Sequence, residues 1–116
     1  MAFTVQQLVT QARVLLQDEV SPFRYTDGQL ARLVTEGLRE ARRVRPDLFA
    51  DTLAQPMPQY TETTMDAQVL MPEQYFGPLL NYVVGRAELR DDEFTTNGRA
   101  ITMVTAYGVA LRGNPK

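Results

Sequence analysis

Residues 26–46 read TDGQLARLVTEGLREARRVRP, and this stretch decides the fold. Leu30, Leu33, Val34, Gly37, Leu38, Ala41 and Val44 recur at steps of three and four, the spacing of one face of a helix. Thr26 can cap the first turn, Asp27 suits the positive end of the dipole, and Gln29 stands where a capping box needs it. Tyr25 before the cap and Leu30 beyond it are placed as a hydrophobic staple. Pro46 limits the helix near Arg45, because the residue before a proline is pushed out of helical geometry.

Outward from this helix the pattern repeats. Val5, Leu8, Val9, Ala12, Leu15 and Leu16 predict a first helix capped by Thr4. Asp18, Glu19 and Ser21-Pro22 end it, and the two acids read as a solvated helix end. After Pro46, Asp47-Leu48-Phe49 suggest one short turn. Residues 50–70 lose periodicity and predict an extended loop or short hairpin, either functional or mobile at that length.

Pro72 and Glu73 open a third helix at an N1-type proline. Its stripe is Tyr75, Phe76, Leu79, Leu80, Val83, Val84 and Ala87, with the continuous part starting near Pro78. Tyr75, Phe76 and Tyr82 read as core aromatics, with a partner groove as the alternative. Thr95-Thr96-Asn97-Gly98 predict a turn. The last helix follows, with Ala100, Ile101, Val104, Tyr107, Gly108 and Leu111 inside, and Gly113-Asn114-Pro115 stop it. The expected fold is all-α: a small bundle of about four helices in one domain spanning residues 1–116, with a flexible tail at 113–116.

Composition narrows the chemistry. The chain has 116 residues, a net charge of −2, no Cys and no His. Thiolate chemistry and disulfides are excluded, and the commonest general base and metal ligand is missing. The single Ser, Ser21, has no His to activate it. No phosphate-cradling glycine loop is present. Asp91, Asp92 and Glu93 are consecutive, so they do not converge on one cation. No cofactor, metal or enzymatic activity is expected. The start, MAFTVQQLV, lacks the basic and apolar segments of a leader, and no run of apolar residues reaches membrane-spanning length.

The basic residues are eleven Arg and one Lys. Arg favours fixed, bidentate contacts, so the bias suits protein interfaces, although genomic base composition produces the same bias. Arg39, Arg42, Arg43 and Arg45 cluster late in the second helix, with Arg39, Arg42 and Arg43 on one face. Glu36 and Glu40 lie within reach. Three readings stay open: self-neutralising surface pairs, contact with a neighbouring subunit, and contact with DNA phosphates. The acidic total and the lack of a recognition helix oppose the last of these.

Two segments carry a resemblance. They are LLQDEVSPFRYTDGQLARLVTEGLREARRVRPDLF, residues 15–49, and MPEQYFGPLLNYVVGRAELRDDEFTTNGRAITMVTAYGVALRG, residues 71–113. Together they resemble the head-to-tail adaptor family of tailed bacteriophages. The matching steps are Leu16-Gln17-Asp18, Arg24-Tyr25, Arg45-Pro46-Asp47, Tyr75, the run Leu79 to Ala87 with Tyr82, Val83 and Arg86, and then Asp91-Asp92. Many relatives carry a β-rich insert where this chain has only residues 50–70.

The resemblance implies a structural protein of the virion neck, made in the host cytoplasm. It implies a ring, usually twelvefold, docked on the portal protein. The ring extends the DNA channel, receives the next tail or nozzle protein, and lets DNA pass without sequence-specific binding or any membrane contact. In such a ring Arg39, Arg42, Arg43 and Arg45 are candidates for one contact face and Asp91, Asp92 and Glu93 for its acidic counterpart. The tail from Arg112 through Asn114, Pro115 and Lys116 is a second candidate contact. The rival readings are a small helical DNA-binding or regulatory protein and a stopper or tail-completion protein of the same neck.

Overall fold

The structure, a computed structural model, describes residues 3–20, 23, 25–52, 59–69, 71–90 and 97–112, with the backbone alone at 50–52, 90 and 97–99. Among these residues there are four α-helices: α1 (Val5–Leu16), α2 (Asp27–Val44), α3 (Phe76–Arg90) and α4 (Asn97–Arg112). Short 3-10 turns cover Pro46–Thr52 and Glu73–Tyr75. The only extended pairing among the described residues is a single bridge between Thr4 and Gln68.

Both N-terminal helices start on full capping boxes. Thr4 accepts from the Gln7 amide while Gln7 bonds back to the Thr4 amide, and Thr26 and Gln29 repeat the exchange. Each box satisfies two amides that a helix start would otherwise leave unpaired. Both residues of the expected staple, Tyr25 and Leu30, are buried, and the Tyr25 hydroxyl donates to the Ala87 carbonyl of α3 at 3.3 Å.

Helix α3 is the hub, packing against α1, α2 and α4. The molecule is 22 Å thick along its shortest axis, about two helix diameters, so the helices form two layers. Gly37 lets α2 approach α3, since a Cβ there would run into Leu79 and Tyr82. Gly85 does the same for α3 against α4, where a Cβ would meet the Ala100 carbonyl oxygen at 2.9 Å. Between these contacts sits Tyr107, fully buried, its ring 4.9 Å from Tyr82 and its hydroxyl donating to the Gly37 carbonyl at 2.7 Å.

Several expectations are corrected. Asp18 is not a solvated helix end: it is buried, for reasons given below. Leu15 lies on the exposed side of α1 and Ile101 on the exposed side of α4. Pro72 caps the short turn before α3 instead of holding its first helical position. Pro78 sits inside the first turn of α3, where its missing amide has no intrahelical acceptor to serve. Helix α4 takes in Asn97 and Gly98, which were expected in a turn.

The described half of the expected loop, residues 59–69, is fastened to the body. Met65 and Ala67 offer their carbonyls to the Gln6 and Val5 amides at 2.7 and 3.0 Å, and the Val69 amide donates to the Phe3 carbonyl. Thr35, buried on α2, accepts from the Tyr60 amide at 2.9 Å, and the Tyr60 hydroxyl reaches the Gln68 carbonyl. Thr35→Val, nearly equal in size, strands the buried Tyr60 amide. The expected loss is about 1–3 kcal/mol, with Tyr60 amide exchange accelerating more than exchange in the core of α3. Unchanged exchange at Tyr60 would show that Thr35 does not hold this segment.

Candidate interaction surfaces

The arginines of α2 do not act as one group. Arg43 is turned onto Glu40, with its Nη2 2.5 Å from the carboxylate, and this bond is the main reason the Glu40 carboxyl is held below its usual range. Arg45 pairs with Asp47 at 2.7 Å and lowers the Asp47 carboxyl in the same way. Arg45 also donates to the Leu111 carbonyl at 2.7 Å, capping the C-terminal end of α4. That bond makes Arg45 a strut between α2 and α4. Arg42 is half-buried. Self-neutralisation therefore describes Arg43 and Arg45.

Arg39 differs. It is exposed and has no ion pair among the described residues, and the same holds for Arg32 one face-repeat earlier. Seven residues apart on α2, they stand roughly 10 Å from each other on one side of the helix. Both line a cleft of about 520 Å³ between α2 and residues 59–62. Glu36 and Glu62 line it too, and Arg86 reaches Glu36 at 3.6 Å. The cleft thus offers two guanidinium groups and two carboxylates to whatever enters it. Sequence reading singled out Arg39 but not Arg32, although the i, i+7 spacing marks the pair.

A second constellation, which the sequence reading missed, is internal. Arg13 lies buried on the core side of α1. Its Nη1 donates to Asp18 Oδ2 at 3.0 Å and to the Tyr25 carbonyl at 2.9 Å, and its Nη2 meets Asp27 at 2.5 Å. Asp18 also accepts from the Tyr25 amide at 2.9 Å, and the Phe23 ring lies 4.0 Å from the guanidinium carbon. This knot ties the end of α1 to the start of α2. Gln17, in the left-handed region at φ 56°, makes the sharp exit from α1 that brings Asp18 inward.

Asp91, Asp92, Glu93, Asn114, Pro115 and Lys116 lie outside the described residues. Arg112, which ends α4, is exposed. Among the described residues no three acidic side chains gather as a metal site, and no helix is long and apolar enough to cross a membrane. No family of proteins, characterised protein or solved structure matches this chain. What the geometry offers is surface: a mixed-charge cleft on α2 and uncharged outer faces on α1 and α4.

Proposed function

We propose that the chain is a structural head-to-tail adaptor of a tailed phage, a subunit of a ring that docks on the portal, extends the DNA channel and receives the tail. One observation carries the reading beyond the resemblance of residues 15–49 and 71–113: Arg32 and Arg39 stand exposed beside a fastened segment, with no ion pair among the described residues. Exposed arginines over a cleft that also holds carboxylates suit a protein partner with charges of both signs. They suit duplex DNA less, since Glu36 and Glu62 would face the phosphates. The partners on this reading are the portal protein, neighbouring adaptor subunits and the next tail protein.

The test is native mass spectrometry of the purified chain, alone and mixed with the portal ring of the same phage. The expected result is a stoichiometric ring complex that forms with the portal. Arg39→Glu reverses one of the two exposed charges of the cleft and should weaken that complex at least about tenfold, the scale of one lost charge-assisted contact. No association at moderate salt overturns the adaptor reading. Salt-sensitive binding to duplex DNA in its place supports a DNA-binding protein.

A further inference from the structure

We infer that copies of this chain join head to tail, with the outer face of α4 of one copy seated along the outer face of α1 of the next. This deepens the ring reading, which supplies closure and copy number, and it makes its own claim about which faces meet.

The outer face of α4 has no charge between its ends. Ile101 is 55% exposed and Val109 57%, with Thr102, Thr105 and Ala106 between them. Apart from Arg99 and Arg112 the helix has no charged residue. The face combines exposed apolar and small polar side chains without a charge, a composition that suits contact with another helix. The small side chains in the middle let a second helix come close, while Ile101 and Val109 project as two apolar knobs.

The outer face of α1 is the second neutral helical surface. It exposes Gln6, Gln7, Thr10, Gln11, Val14 and Leu15, and its one charged residue, Arg13, points inward. At its N-terminal end lies a groove of about 560 Å³ lined by Gln6, Gln7 and Gln11, with Phe3 and Phe76 in edge-to-face contact on its wall and the carboxylate of Glu73, from the turn before α3, at its rim. At its C-terminal end Val14 and Leu15 are exposed at 44% and 40%. The spacings agree. Ile101 to Val109 and Gln7 to Leu15 are each eight residues, about 12 Å of helix. A parallel seating puts Ile101 at the Phe3–Phe76 groove and Val109 on Val14 and Leu15.

Charge selects this pairing over self-pairing of α4. Two copies of α4 side by side would bring only arginines together. In the parallel seating on α1, Arg112, whose charge also acts on Glu40 of its own chain, comes to the end where Glu19 is exposed, and neither residue has an ion pair among the described residues. Within one chain α1 and α4 are not a packed pair, and each rests on α3. The two faces are therefore different surfaces of one molecule, and joining them is a heterologous contact that propagates. One three-turn helix seam falls below the roughly 1,200 Å² of a stable complex, so association is weak in the free chain.

The absence of Cys gives a clean background for cross-linking. Thr105→Cys and Gln11→Cys, both at exposed polar positions, are oxidised at millimolar protein concentration with the far-UV spectrum checked. The doubly substituted chain should give a ladder of disulfide-linked oligomers. A mixture of the two single variants should give dimers, and each alone only monomer. Val109→Asp in the double background should cut the ladder at least tenfold. Dimers from the Thr105→Cys variant alone would replace the seam by an α4–α4 pair. Monomer in every sample would overturn it. Portal binding by the same chains is scored separately: a chain that docks on the portal without laddering sinks the seam and leaves the adaptor, and the reverse sinks the adaptor alone.

Discussion

Arg13→Met is expected to destabilise the protein by about 3–5 kcal/mol, the scale for breaking a buried ion pair by removing one partner. Methionine fills most of the volume, so the loss is electrostatic. Asp18, at 5% exposure, loses the guanidinium that faces it in the interior. The Tyr25 carbonyl loses a donor at the same time. Against a total of roughly 5–15 kcal/mol for a domain, the variant should melt far below the parent or fail to fold. Adding Asp18→Asn replaces the carboxylate that the guanidinium faced and still offers an oxygen to the Tyr25 amide. The double variant should therefore be at least about 1 kcal/mol more stable than Arg13→Met alone. Equal midpoints in a urea titration would mean that Asp18 is not the source of the penalty.

Tyr107→Ala should cost about 3–5 kcal/mol, because it empties a fully buried aromatic site where α2, α3 and α4 meet. The ring contact with Tyr82 and the hydroxyl bond to Gly37 both disappear. Tyr107→Phe separates the two contributions: it keeps the ring and should lose only about 1 kcal/mol. Burial, helped by Tyr82 beside it, raises the Tyr107 phenol above its ordinary 10. The folded chain holds this proton more tightly than the unfolded one. Its contribution is therefore complete below pH 10 and is lost as pH rises above that value. The parent should lose stability in alkali more steeply than Tyr107→Phe. Parallel alkaline profiles would remove Tyr107 as the cause.

These two residues also mark what could be read in advance. Tyr107 lay on the expected inner side of the last helix, and both N-terminal cap threonines were placed, because capping and periodicity act over three or four residues. The Gln7 half of the first box obeys the same rule and could have been read. Asp18 could not be placed by such rules, since its partners stand five residues before it and seven after it across a turn. The one local signal was Arg13 itself, a charge four residues after Val9 on an apolar stripe. Ile101 was misplaced for the opposite reason: between Arg99 and Arg112 α4 carries apolar and small uncharged residues on every side, so its stripe has no sharp edge to read. Thr35 and Arg32 were passed over because their roles depend on residues 59–62, which have no periodicity. Of the surface cluster, the row on α2 was legible as charge but not as division of labour. Only the folded positions of Asp47 and Leu111 show that Arg45 is occupied.

The clasp of residues 65–69 on the start of α1 sets an order of assembly. The first amides of α1 find their acceptors in a segment about sixty positions later in the chain, a closure that is entropically expensive and slow to form. During synthesis α1 leaves the ribosome long before Met65 and Ala67 exist. Its first turn begins on the Thr4 box alone, and α2 forms beside it through the Arg13 knot. Only after residue 69 has emerged can the N-terminal end lock, so the first helix made is completed no earlier than the point at which more than half of the chain is out.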